Sequence, residues 1–260
     1  MIRLLKIELQ KIIYSRQLWI ILGLYILLII PVAYAIDSVS LGGSSNGDAM
    51  PGGMAINFFN FPAVWHNMAY LFTWFQLFLG IIIISLVTTE FSQRTLRQNI
   101  IDGLTKWEII WSKELVIILL SSISTLLLVA FTLIFGNQGP DTSLWTGIRV
   151  IPVYFICTML YLNFAYFLSF WVKKSGLAIG LFLLYSIIIE NLITFKLPDT
   201  VAQYFPMKML SAMIPNPLGS MLSLESEVQF TLQYTLVSIA YIGLFIILIK
   251  WMLDKGHAAK

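Results

Sequence analysis

Six apolar runs decide what this chain can become. They lie at about Leu18–Ile36, Ala63–Thr88, Ile109–Phe135, Leu144–Val172, Ser175–Phe195 and Phe230–Met252, and each supplies the roughly 20 residues that a helix needs to cross about 30 Å of hydrocarbon. Lipid offers no hydrogen-bond partner to the backbone, so a spanning segment must be a helix or part of a closed barrel. The stretch LVIILLSSISTLLLVAFTLIF is apolar on every side, whereas a barrel strand alternates apolar and polar side chains. The expected class is therefore an all-α integral membrane protein with six transmembrane helices in a single domain. Composition agrees: 58% of residues are hydrophobic and 11% charged, against about 25% charged in soluble domains.

Lysine and arginine placement sets the expected orientation, because cytoplasmic loops retain an excess of both. With both termini cytoplasmic, only Arg149, Lys196 and Lys208 of the 16 Lys and Arg residues fall on the outer side. This bias accounts for a pI near 8.9 without a nucleic-acid partner. Trp19, Trp65, Trp107, Trp111, Trp145, Trp171 and Trp251 fall near span ends, where indoles favour the headgroup level, and Trp74 lies inside a span. Ala33-Tyr34-Ala35 imitates a signal-peptidase site, but an apolar run of about 19 residues is long for a signal peptide, so the first run is read as a retained span. The single cysteine, Cys157, excludes an intrachain disulfide.

Between the spans the chain is uneven. Residues 1–17 place Ile2, Leu5, Leu9 and Ile12 on one face and Arg3, Lys6, Lys11 and Arg16 largely elsewhere, the pattern of an amphipathic interfacial helix that anchors to lipid or contacts a cytoplasmic partner. The outer tract LGGSSNGDAMPGG is too poor in apolar residues to order itself, and no Gly-Lys-Ser or Gly-Lys-Thr follows it. The aromatic stretch containing His66 reads as an interface anchor. The outer segment from Lys196 to Gln229 carries Pro198, Pro206, Pro215 and Pro217 among apolar residues. It is expected to form short re-entrant helices or a surface-lying hairpin between spans five and six.

The segment EFSQRTLRQNIIDGLTKWEIIWSKEL, from Glu90 to Leu115, is the most patterned polar part of the chain. Thr95-x-x-Gln98 and Thr105-x-x-Glu108 both fit a capping box, in which two side chains satisfy orphan amides at a helix start. The spacing predicts a short helix over Thr95–Ile101, a break at Asp102-Gly103, and a second helix from about Lys106 into span three. Here E-x₃-R-T-L-x-Q, then D-G-L-T-K-W-E and Lys113, resembles the first cytoplasmic loop of ABC-type export permeases of the ABC-2 class. That family also has an amphipathic leader, six spans and a re-entrant outer region, so the resemblance covers nearly the whole chain. Its loops often carry glycine where Arg94 stands here, glutamate where Gln98 stands, and a proline that this chain lacks.

The resemblance implies that this segment is a coupling helix seated in a groove of a separate cytoplasmic ATPase subunit, present in two copies. Arg94, Thr95, Leu96, Arg97 and Gln98 would make contact, Glu90 would lie at the hinge, and Asp102 and Gly103 would mark the break. It further implies a bacterial-type inner membrane and a second permease subunit, the same or homologous. Gly176-x₃-Gly180 is then a candidate dimer contact or, alternatively, a packing site within one subunit. No Gly-x₄-Gly-Lys-Ser/Thr occurs in the chain, so ATP and magnesium belong on the partner, this chain carries no cofactor or metal of its own, and it is not expected to be an enzyme.

Within the spans, Glu190 is the one carboxylate inside an apolar run. It reads either as a functional group or as one reaching water at the outer end of span five. Gln76, Asn163 and the Ser121, Ser122, Ser124 and Thr125 cluster read as interhelical hydrogen-bond glue. An intramembrane enzyme would need catalytic constellations that His66 and His257 do not supply. Two further readings stay open beside the exporter: an ion-coupled secondary transporter using Glu190, and a permease-like complex that transmits force or confers resistance without translocation.

Overall fold

The computed structural model describes residues 11, 13–42, 59–137, 147–214, 216 and 232–255. The interfacial leader up to residue 10, the glycine-rich tract from residue 43 on and residues 217–231 lie outside the described residues. The rest is helical: α1 (Arg16–Gly42), α2 (Ala63–Ser92), α3 (Thr95–Ile101), α4 (Lys106–Phe135), α5 (Val150–Val172), α6 (Ser175–Leu184), a π-helical turn (Tyr185–Ile189), α7 (Glu190–Lys196), α8 (Asp199–Ala202), α9 (Pro206–Met213) and α10 (Leu232–Asp254). Among the described residues six helices are long and apolar enough to cross a membrane: α1, α2, α4, α5, the run from α6 to α7, and α10. The chain is a multi-pass, all-helical membrane protein. The fourth span begins at Val150 rather than near Leu144, because Gly147 to Arg149 form a turn.

α2 and α4 hold 30 residues each, about 45 Å of helix, well beyond the hydrocarbon thickness. Their surplus turns carry Glu90 on α2 and Lys106 and Glu108 on α4. That end of the bundle also carries Arg94, Arg97, Lys173, Lys174 and Lys250, and is called the basic end below.

α5 occupies the centre and packs against α2, α4, α6 and α10, while α1 lies mainly against α2. Lipid tails are as apolar as leucine, so shape and hydrogen bonding rather than burial from water decide how these helices associate. Shape comes from aromatic rings: Phe72 meets Tyr25, Phe131 and Tyr154 edge-on at 6.3, 5.6 and 6.2 Å. Gly80 lets α6 approach α2, since a Cβ there would land on the Phe182 ring.

Hydrogen bonding comes from part of the expected glue. Ser124 joins the hydroxyls of Tyr25 at 2.8 Å and Tyr154 at 2.6 Å, and the Gln76 amide donates to Thr158 at 2.9 Å. These bonds connect α1, α4, α5 and α2. Ser122 and Thr125 instead donate to carbonyls of their own helix, each at 2.8 Å. Asn163 donates to its own helix at the Met159 carbonyl, 3.1 Å away, and more distantly to Glu114. Trp74 faces outward from mid-span, 68% exposed.

The segment between spans five and six folds back onto the bundle as α8 and α9. Met213, at the end of α9, brings its sulfur 3.8 Å from Cys157, seven residues and about 10 Å inside α5. α9 thus reaches into the bundle from the end opposite the basic one. Tyr234 donates to Gln203 and Tyr241 to the Tyr204 carbonyl, each at 3.0 Å, which fastens this segment to α10.

Candidate functional site

The corner joining α2, α3 and α4 at the basic end is built from two backbone reversals. At the first, Arg94 adopts φ 57°, ψ 14°, a left-handed conformation that glycine takes freely and that costs other residues about 1 kcal/mol. Arg94 is thus the N-cap of α3 and Thr95 its first helical residue. The Thr95 capping box expected from sequence does not form, because the threonine sits one position too late, and its hydroxyl turns back to the Glu90 carbonyl at 3.4 Å. At the second reversal Gly103, at φ +94°, ends α3, and Leu104 N–H reaches the Asn99 carbonyl at 3.0 Å. There the second capping box does form: Glu108 N–H donates to Thr105 Oγ1 at 3.3 Å, and Thr105 N–H donates to Glu108 Oε2 at 2.8 Å.

The left-handed geometry yields a test. Arg94→Gly is expected to raise stability by about 1 kcal/mol and Arg94→Val to lower it by at least as much, read from thermal unfolding in detergent. Equal destabilisation by both would show that the backbone at Arg94 does not set the turn.

Glu90 is the hub of the corner. Its side chain is nearly buried, and Oε1 accepts from Lys113 of α4 at 2.5 Å and from Lys11 of the leader at 2.8 Å. Three segments thereby meet on one carboxylate. On the far side, Lys106 pairs with Asp254 at 3.0 Å, and the Lys250 ammonium lies 4.6 Å from the centre of the Trp107 ring, so α10 is fastened to the start of α4. Sequence reasoning named Glu90, Lys113 and Lys11 separately but did not see that the two lysines, 23 and 79 residues away, pair with Glu90.

α3 itself is two-faced. Leu96 is 1% exposed and, with Ile100, packs against the core. Arg94, Arg97, Gln98 and Asp102 are exposed, Thr95 is half-buried, and Ile101 is 75% exposed. Of the five expected contact residues, Leu96 faces inward because it anchors the helix, and Ile101 takes the outward apolar place. A seven-residue helix has too few turns for periodicity to say which of its leucine and isoleucines is the anchor.

Gly176 and Gly180 meet nothing: a Cβ on either would touch no atom within 4 Å. Among the described residues they serve no close packing.

Glu190 forms a second polar locus, distant in the fold. It directly follows the π-helical turn and is 1% exposed, so it does not reach water in this structure. Its Oε1 accepts the Lys208 backbone N–H at 2.6 Å. Lys208 is the third residue of α9, after Pro206 and Met207, which makes Glu190 a carboxylate cap on a helix N-terminus supplied from another helix.

Residues 25–255 match the family described as a protein of unknown function, DUF2705, and the chain belongs to that family. No curated protein matches it.

Proposed function

We propose that the chain is the transmembrane subunit of an ATP-driven exporter of the ABC-2 class, working with a second permease subunit and two separate ATPase subunits that bind ATP and magnesium. The observation that carries this reading is the construction of α3. It is a short helix held away from the spans by two tight turns, anchored inward by Leu96, and presenting Arg97, Gln98 and Ile101 outward. A surface anchor would lay its apolar side chain on lipid, whereas α3 mixes one exposed isoleucine with cations and amides, as a protein-docking face does.

In this reading the basic end faces the cytoplasm of a bacterial-type inner membrane and both termini lie on that side. A push on α3 passes at once to α2 through its turn, to α4 through Gly103, and to the leader through Glu90 and Lys11. No residue of this chain performs chemistry. Gly176 and Gly180, open on the surface of α6, suit close approach by the second permease subunit.

The test is co-expression with candidate ABC ATPase subunits from the same genome, followed by affinity purification in detergent. Wild type is expected to carry the ATPase through purification, and Arg97→Glu to weaken the complex about tenfold, the scale of one misplaced interface charge. Absence of any ATPase in the wild-type preparation would overturn the proposal.

A further inference from the structure

Among the described residues, the non-glycine positions with a left-handed backbone are Arg94 and Lys173, at φ 57° and 61°. Both line one open cleft of about 820 Å³, bounded by the α2–α3 turn and the α5–α6 junction. Arg97 and Lys174 line it too, so four cations converge on one concavity from two separate turns. The carboxylate in its wall is Glu90, already engaged by Lys11 and Lys113. Among the described residues no ion pair involves any of the four cations; the Lys173 ammonium has only the Phe91 ring, 5.9 Å from its centre. Burial lowers the pKa of Lys173, as expected of a half-buried ammonium with no counter-charge at hand. A concave site lined by one sign of charge concentrates counter-ions.

The position of the cleft identifies the anion. Trp171, 60% exposed, sits one turn away on α5 and marks the interfacial level. On the other side the cleft opens past Gly176 onto the exposed apolar surface of α6, beginning at Leu177, 60% exposed. A soluble anion has no use for that apolar continuation, whereas a phosphate carrying acyl chains does. We propose that this cleft binds the phosphate headgroup of an anionic phospholipid in the leaflet at the basic end, with its chains lying along α6.

The cleft shares Arg94 and Arg97 with the docking face of α3, but its residues all come from this chain, so it is tested without any ATPase and its failure leaves the docking reading standing. Native mass spectrometry and thermal unfolding of the delipidated protein would compare phosphatidylglycerol, phosphatidylcholine and inorganic phosphate. Phosphatidylglycerol is expected to bind at least tenfold more tightly than phosphatidylcholine, and Lys173→Gln/Lys174→Gln to reduce that preference by about 10- to 30-fold, near 1 kcal/mol per cation. Lys174→Gln/Arg97→Gln, which changes only exposed side chains, should do the same if the first variant folds poorly. Lys250→Gln/Lys255→Gln, at the same end but outside the cleft, should leave the preference intact. Retention of the preference by both cleft variants would overturn the site. An equal response to inorganic phosphate would overturn the lipid as its occupant.

Discussion

Replacing Lys113 with methionine is expected to lower the unfolding free energy by about 3 kcal/mol, read from equilibrium unfolding in mixed detergent. The variant keeps the length of the side chain and removes its charge, leaving the Glu90 carboxylate, 5% exposed, with Lys11 as its remaining ion-pair partner. Breaking a buried ion pair by removing one member typically costs about 3–5 kcal/mol. The low end applies because Lys11, whose side chain is 35% exposed, stays in place. The double variant Lys113→Met/Glu90→Leu should recover most of the loss, since an apolar pair of similar volume needs no compensation for desolvated charge. Equal losses from the single and double variants would show that packing, not the charge pair, holds this corner together.

The second large effect belongs to Glu190. Glu190→Ala is expected to destabilise the fold by about 1–3 kcal/mol, because it removes the acceptor of the Lys208 N–H at a buried helix start. Glu190→Gln retains an oxygen in the same place and should lose about half as much. Both should free α9 first, so cysteines introduced on α9 become labelled faster while those on α5 do not. If Glu190→Gln abolished activity of the proposed transporter while leaving α9 protected, the residue would have a role in proton or ion handling beyond that of a cap.

Much of this architecture is legible in the sequence because lipid leaves the chain few choices. The six spans follow from run length, and the break at Gly103 and the Thr105–Glu108 capping box follow from local chemistry confined to four residues. The hidden features are those in which distant parts of the chain select each other. Glu90 has cations nearby in sequence, Arg94 and Arg97, yet its partners are Lys11 and Lys113, which reach its carboxylate from distant parts of the chain. Glu190 likewise looks isolated, and its role appears only when α9 folds back against α7. The Thr95 capping box failed because the pattern fixes the spacing of Thr95 and Gln98 but not where the helix starts, and the left-handed Arg94 takes the N-cap and leaves Thr95 one position too late. Gly176-x₃-Gly180 shows the limit of motif reading: the motif permits close approach, and among the described residues no helix makes it.

Cross-linking from α3 tests most directly whether that helix docks on a motor. Cys157 is buried, so a cysteine introduced at the exposed Ile101 is selectively reactive, and one at Leu126, which faces outward from mid-span at 68% exposure, serves as a control. With the ATPase co-expressed in membranes, a short thiol-to-amine cross-linker is expected to join Ile101→Cys to the ATPase and to leave Leu126→Cys without a protein adduct. An Ile101→Cys chain that labels freely with a soluble maleimide but captures no ATPase would contradict the exporter reading at its centre.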